Sequence, residues 1–232
     1  MTTTIGAGVT IGAGVVIAPI PSIVTDGLVL YYDFSNSASY PGTGTAITDL
    51  SVSDNAGTVV NDYGAISYVA DGQTSYFNWS TDVGGSGSNS FGGSIHTASP
   101  NTYQDFTVIF QPDFTVAGMA GLFGIPGDKS LRFYNNAWQA PNPGNGDDWA
   151  SSPTTFYVNG TVSNQAIPGW NVMGGATTNG AFAGATQLYV GTSGYENRNM
   201  QGKIAVVLMY NRALTSEEQV QNFNYYKSRF GL

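Results

Sequence analysis

The chain contains no cysteine. Disulfides and thiolate metal sites are therefore excluded, and stability has to come from a buried core. At 232 residues the chain can supply one, since a domain of this size buries roughly 70% of the surface its unfolded form exposes. Charge is scarce as well: Asp, Glu, Lys and Arg make up 9% of residues, against roughly 25% in an average soluble domain. Residues 1–128 hold ten Asp and no base, while residues 129–232 carry all seven Lys and Arg against five acids. Neutralising phosphates requires clustered Lys and Arg, so nucleic acid is not an expected partner. No run reaches the ~18 consecutive apolar residues of a membrane helix. Thr2, Thr3 and Thr4 stand where a signal peptide carries basic residues. Neither membrane insertion nor export by that route is expected.

Shortage of histidine and glutamate bounds the chemistry. His96 is the single histidine, in the polar stretch "SIHTASP", which reads as a loop. No G-x-S-x-G elbow accompanies it, so a Ser-His-Asp set is not expected. One imidazole without thiols cannot build the N/S shell of zinc. The only glutamates are Glu196, Glu217 and Glu218. Asp147 and Asp148 are adjacent and would point to opposite sides of an extended chain, whereas a retaining glycosidase needs two carboxylates about 5 Å apart. Calcium accepts harder ligands, so Asp147 and Asp148 in the Gly/Asn/Pro-rich stretch 136–153 are weak calcium candidates. Asp54 and Asn55 in "SVSDNAG" offer similar ligands; neither stretch has EF-hand spacing, and Asx residues in loops usually form turns. Trp138 and Trp149 flank the longer stretch and are candidate glycan contacts, the alternative being that both anchor the loop from beneath.

Glycine is abundant, with 31 residues, and it shapes the opening "TIGAGVTIGAGVVIAPIP". Two hexads, Ile5–Thr10 and Ile11–Val16, match the repeat of left-handed β-helices, but such coils need about three or more repeats to bury one another. The stretch instead describes a flat, uncharged ribbon bearing Ile5, Val9, Ile11, Val15 and Ile17. An unprotected edge of this kind seeks pairing. Two outcomes remain open: an arm that docks on another subunit through these five residues, or an extra strand on the chain's own sheet.

From residue 22 onward, short β-branched and aromatic runs alternate with Gly, Asn, Asp and Pro. Strands are predicted over 27–34, 65–70, 75–79, 105–114, 120–125, 130–135, 154–160, 169–175, 186–191 and 202–211, the pattern of a sandwich or jelly roll. One helix is predicted over 216–229. Thr215 and Glu218 form its capping box, Val220, Phe223 and Tyr226 its buried stripe, and Gly231 its stop.

Three stretches in order, "TDGLVLYYDFSNSASYPGTGTAITDLS" (25–51), "FYVNGTVSN" (156–164) and "LYVGTSGYENRNMQGKIAVVLMYNRALTSEEQVQNFNYYKSRFGL" (188–232), resemble the laminin-G-like, concanavalin A-like jelly rolls common in structural proteins of tailed phages. The resemblance covers about residues 23–232 and implies an all-β jelly-roll sandwich with one C-terminal helix, preceded by an extended arm over 1–22. It further implies a virion structural protein on the capsid surface, a decoration protein anchored by its arm to other virion proteins such as the major capsid protein, or self-associating. A lectin-like module binding cell-surface glycans, for example on a tail fibre, is the alternative. Glucanases of the same fold carry E-x-D-x-E along one strand; that motif is missing here, and with it the expectation of an enzyme. Deletion of residues 1–20 is expected to leave a folded body and abolish assembly onto a partner, measured by circular dichroism and by light scattering; retained assembly would make the leader an internal strand.

Overall fold

The computed structural model describes residues 3–4, 10–11, 21–61, 66–79, 93–98, 103–114, 119–125, 130–134, 137–139, 155–176, 187–192 and 199–232. Two antiparallel sheets face each other. The first has seven strands in the spatial order β12 (Ala137–Gln139), β11 (Ser130–Tyr134), β10 (Met119–Gly124), β16 (Gln187–Val190), β8 (Ser94–Ala98), β5 (Gly57–Val60) and β4 (Ala46–Ile47). The second runs β14 (Thr161–Val162), β13 (Thr155–Val158), β15 (Asn171–Ala176), β9 (Asp105–Pro112), β17 (Gly202–Tyr210), β7 (Tyr76–Trp79) and β6 (Ile66–Val69). β3 (Leu28–Asp33) also pairs with β17. It takes Val206–Tyr210 of that strand, whereas β7 takes Gly202–Ile204, so β3 and β7 lie end to end along one edge of β17. This is the two-sheet all-β sandwich with a C-terminal helix that the sequence predicts. β1 (Thr3–Thr4) and β2 (Thr10–Ile11) form a separate ladder, hydrogen-bonded to neither main sheet.

β17 is apolar on both faces because both are covered. Ile204, Val207 and Met209 point into the core between the sheets with Phe34, Phe77, Phe106, Phe110 and Phe123. Ala205, Val206, Leu208 and Tyr210 point outward and are covered by helix α1 (Ser216–Tyr226) and by Val24. Burying each such side chain contributes about 1.5–3 kcal/mol, so a strand covered twice anchors the sandwich.

The helix docks by a different chemistry from the one its sequence suggests. Its buried residues are Gln219, Asn222 and Tyr226, while Val220 and Phe223 are only half-buried. The stripe is turned one residue toward the polar side because the sheet beneath it offers polar partners. Gln219 Nε2 donates to Asp105 Oδ1 over 2.9 Å, and Leu214 N donates to Asp105 Oδ2 over 2.8 Å. Asn222 Nδ2 donates to Thr107 Oγ1 and to Tyr210 Oη, and Asn222 Oδ1 accepts from Val24 N. Gly174 makes room for this contact: a Cβ there would stand 1.9 Å from Gln219 Oε1.

The N-terminal end follows the predicted capping box, with Glu218 N donating to Thr215 Oγ1 and Thr215 N to Glu218 Oε2. The C-terminal end stops at Tyr226, earlier than residue 229, because Arg229 and Phe230 leave the helical path for partners on the sheet. The "YVNG" stretch is the β13–β14 hairpin. Asn159 and Gly160 both have positive φ, as its two-residue turn requires, and a Cβ on Gly160 would meet the Phe223 ring at 2.7 Å.

Burial pushes the Asp105 carboxyl up to about 7, against the pull of its N–H donors from Leu214, Gln219, Phe106 and Gly175. The folded state thus keeps a proton that the unfolded chain has released by about pH 4. This group's stabilisation is fully present below that pH and is lost as pH rises through about 7. Asp105→Asn sets an amide N–H₂ against donors and is expected to cost about 2–4 kcal/mol at pH 8. It should also flatten the decline in Tm between pH 4 and 7; an unchanged decline would remove Asp105 as its source.

Candidate functional site

Most site residues singled out from the sequence lie outside the described residues: Ile5, Val9, Val15 and Ile17, then Asp147, Asp148 and Trp149. Ile11 sits in β2 opposite Thr3, and Trp138 in β12 opposite Phe133. His96 belongs to strand β8 and not to a loop. Its ring lies 4.2 Å from that of Tyr189 on the neighbouring β16, and its Nε2 is 2.8 Å from Ser94 Oγ. In the stretch 49–55 Asp54 is exposed, and the neighbouring Asp49 is committed to the fold. The buried Asp49 carboxylate accepts from Tyr31 N, Ser51 N, Ser51 Oγ and Asn55 N, and Asn55 Nδ2 donates to Val29 O. These donors occupy both Asp49 oxygens. Among the described residues no three His, Asp or Glu side chains converge.

One groove of about 580 Å³ opens where β3 and β7 meet, walled by Ser35, Asn36, Ser37, Gly72 and Gln73 over the Asp33–Arg229 pair. The pair is a clasp. Arg229 Nη1 and Nη2 donate to the two Asp33 oxygens over 2.6 and 2.7 Å. Arg229 also donates to Ser35 Oγ and to the Gln73 carbonyl, so its fork is nearly used up within the fold. Burial alone would raise the Asp33 carboxyl; the guanidinium overcomes this and holds it below the usual carboxylate range. The groove is hence lined by neutral hydroxyls and amides over a fixed, internally compensated floor.

Beside it lies a strip of the second sheet's outer face that the helix leaves uncovered. The register places Ser67 opposite Asn78, Asn78 opposite Lys203, and Lys203 opposite Gln111, a polar row across four strands. Ser67 is exposed and the other three are half-buried. Half-buried Tyr76 and Trp170 border the row, their ring centres 5.7 Å apart, and Trp170 leans on Phe230 at 5.0 Å. Phe230 follows Arg229 and Tyr76 lies three residues after Gln73, so the clasp that floors the groove also backs this aromatic border. The chemistry on offer is planar amides and a hydroxyl beside two indole and phenol rings, with one ammonium group.

Sequence reasoning missed this strip. Its signal was present: single polar residues, Asn78 in "YFNW", Gln111 in "DFTVIFQP" and Lys203 in "GKIAVVLMY", interrupt otherwise apolar strands. Only the pairing register shows that they fall side by side.

No family model matches the chain, and no curated protein matches it in sequence. Solved structures do share its architecture. Domain 4 of AbnA, a GH43 extracellular arabinanase from Geobacillus stearothermophilus, in complex with arabinotriose, superposes with a TM-score of 0.52 over 86% of this chain and 99% of that one, at 14% identity. Trypanosoma rangeli sialidase in complex with the inhibitor DANA matches over 87% of this chain at a TM-score of 0.51 and 18% identity. A mutant of that sialidase displaying trans-sialidase activity matches over 91% at 0.55 and 17% identity. The chain spans about a third of the sialidases' length, 33% and 35%. At these identities the likeness defines a fold. The expectation, drawn from missing carboxylates, that the chain is not an enzyme does not stand, because the proteins that share this sandwich include a domain of an arabinanase and sialidases.

Arg229→Met leaves the Asp33 carboxylate buried without its partner and is expected to cost about 3–5 kcal/mol. Asp33→Asn combined with Arg229→Met should recover part of that loss. Because Asp33 is held low, its share of stability is present above the ordinary carboxylate value of 3.8 and lost as pH falls below it. Intrinsic tryptophan fluorescence in wild type should report an acid transition there that Arg229→Met lacks.

Proposed function

We propose that the chain is a carbohydrate-binding β-sandwich module that takes glycan on the uncovered half of its helix-bearing sheet. The observation that carries this reading is the row Asn78, Lys203 and Gln111 bordered by Tyr76 and Trp170. Sugar rings present apolar C–H faces and a rim of hydroxyls. Aromatic rings match the first and planar amides the second, with little conformational entropy to lose. The strip has both, held stiff by strand pairing and by the Asp33–Arg229 clasp. The shared architecture with a domain in complex with arabinotriose supports the same reading.

A second reading concerns display. The laminin-G-like resemblance points to a phage virion, with the leader docking on capsid protein. The separate β1–β2 ladder supports a leader that is not a strand of the body's own sheets. A decoration protein presenting a glycan-binding face would satisfy both readings.

The first is tested by isothermal titration against a panel of neutral and acidic oligosaccharides, arabinotriose included. Trp170→Ala is expected to weaken binding by about 2 kcal/mol, as loss of an aromatic anchor does. Since Trp170 also packs on Phe230, Asn78→Ala serves as the variant that leaves folding intact and still lowers affinity. A panel without any binder, or binders indifferent to both variants, would move the site elsewhere.

A further inference from the structure

Lys203 stands apart from the other bases whose side chains are described. Arg212 pairs with Asp26 and Glu218, Arg229 pairs with Asp33, and Lys227, exposed at the helix end, donates to Asn224 Oδ1 over 2.8 Å. Lys203 rises half-buried from the sheet. Its Nζ lies 4.9 Å from the centre of the Tyr76 ring and 3.5 Å from Gln111 Oε1, and it meets no carboxylate among the described residues. The chain has 15 acids for seven bases, so carboxylates are not in short supply. An ammonium group drawn partly out of water and given only an amide oxygen and a ring face is under-compensated. Asn78 and Gln111 flank it in register and present amides on either side.

We propose that this strip recognises an acidic glycan, with Lys203 pairing to a sugar carboxylate while Tyr76 and Trp170 border the ring that bears it. The inference rests on the carbohydrate-binding reading and names its substrate class. A carboxylate set between Nζ and the flanking amide N–H groups would receive one charge-assisted and further neutral hydrogen bonds, the geometry that a partly desolvated anion requires. Neutral sugars could use the same aromatic border but would leave the ammonium group without its partner. Preference for acid over neutral forms should therefore reside in Lys203 alone. It should weaken with salt less steeply than a fully exposed pair would, because the site is partly screened from solvent.

The experiment uses the full chain and three uronate polymers, polygalacturonate, alginate and hyaluronan, each compared with its own carboxyl-methyl ester so that only the charge differs. Wild type is expected to bind at least one free acid about ten-fold more tightly than its ester, the size of one charge-assisted hydrogen bond. Lys203→Gln should bring that ratio to about one, and Lys203→Arg should keep the preference. Equal binding of acid and ester by wild type overturns the acidic-glycan assignment and leaves the carbohydrate-binding reading intact. Failure to bind any polymer in either form, or any neutral oligosaccharide, removes both. Poly-glutamate competing as well as the free acid, in a Lys203-dependent way, would also overturn it by making the occupant an acidic peptide.

Discussion

A single buried carboxylate organises the closure of this sandwich. Asp105 begins the central strand β9 and accepts hydrogen bonds from Phe106 N on its own strand, Leu214 N ahead of the helix and Gln219 Nε2 within it. Asn222, one turn further on, joins Thr107, Tyr210 and Val24. Apolar burial would hold a helix against a sheet in many rotations and translations. These polar groups allow one, because any slip leaves a desolvated donor or acceptor without a partner. The position of α1 in turn sets where Arg229 and Phe230 fall, and through them the groove floor and the support behind Trp170.

The same arrangement explains what was legible in the sequence. Strands of the helix-bearing sheet other than the two-residue β14 carry dense β-branched and aromatic runs, since β17 and β9 are buried on both sides, and their limits agree with the pattern to within a residue or two. Several strands of the opposite sheet were not legible: β4, β5, β8 and β12 are short and mix Gly, Ser, Thr, His and Gln with single apolar residues. Their inward residues, such as Ile47 and Ile95, are as buried as any, but two or three such positions make no periodic signal. His96 was misplaced for this reason. The helix was legible in existence and cap, yet its buried face was misjudged, because hydrophobic periodicity cannot anticipate a docking stripe made of Gln219 and Asn222.

The candidate site was less legible than the fold. Its residues come from β6, β7, β9 and β17 and from the approach to β15, separated along the chain and united only by register. A polar residue inside an apolar strand reads as an isolated exception; three in one lateral row make a surface. The laminin-G-like resemblance identified the sandwich through its turn and its β17–α1 junction, the parts that fix the helix. It held no information on the strip, which lies at the other end of β17.

Residues near the two ends of the described body are stitched together: Val24 N donates to Asn222 Oδ1 across 198 positions of sequence, and Tyr210 Oη donates to Val24 O. On a ribosome, therefore, Ile109, Val172 and Leu208 stay bare until helix α1 has emerged. Closure by such distant partners makes folding slow and leaves a sticky intermediate exposed to other nascent chains. A fusion or ligand that crowds residues 22–24 would hinder this last stitch, so cargo belongs at loops on the opposite layer.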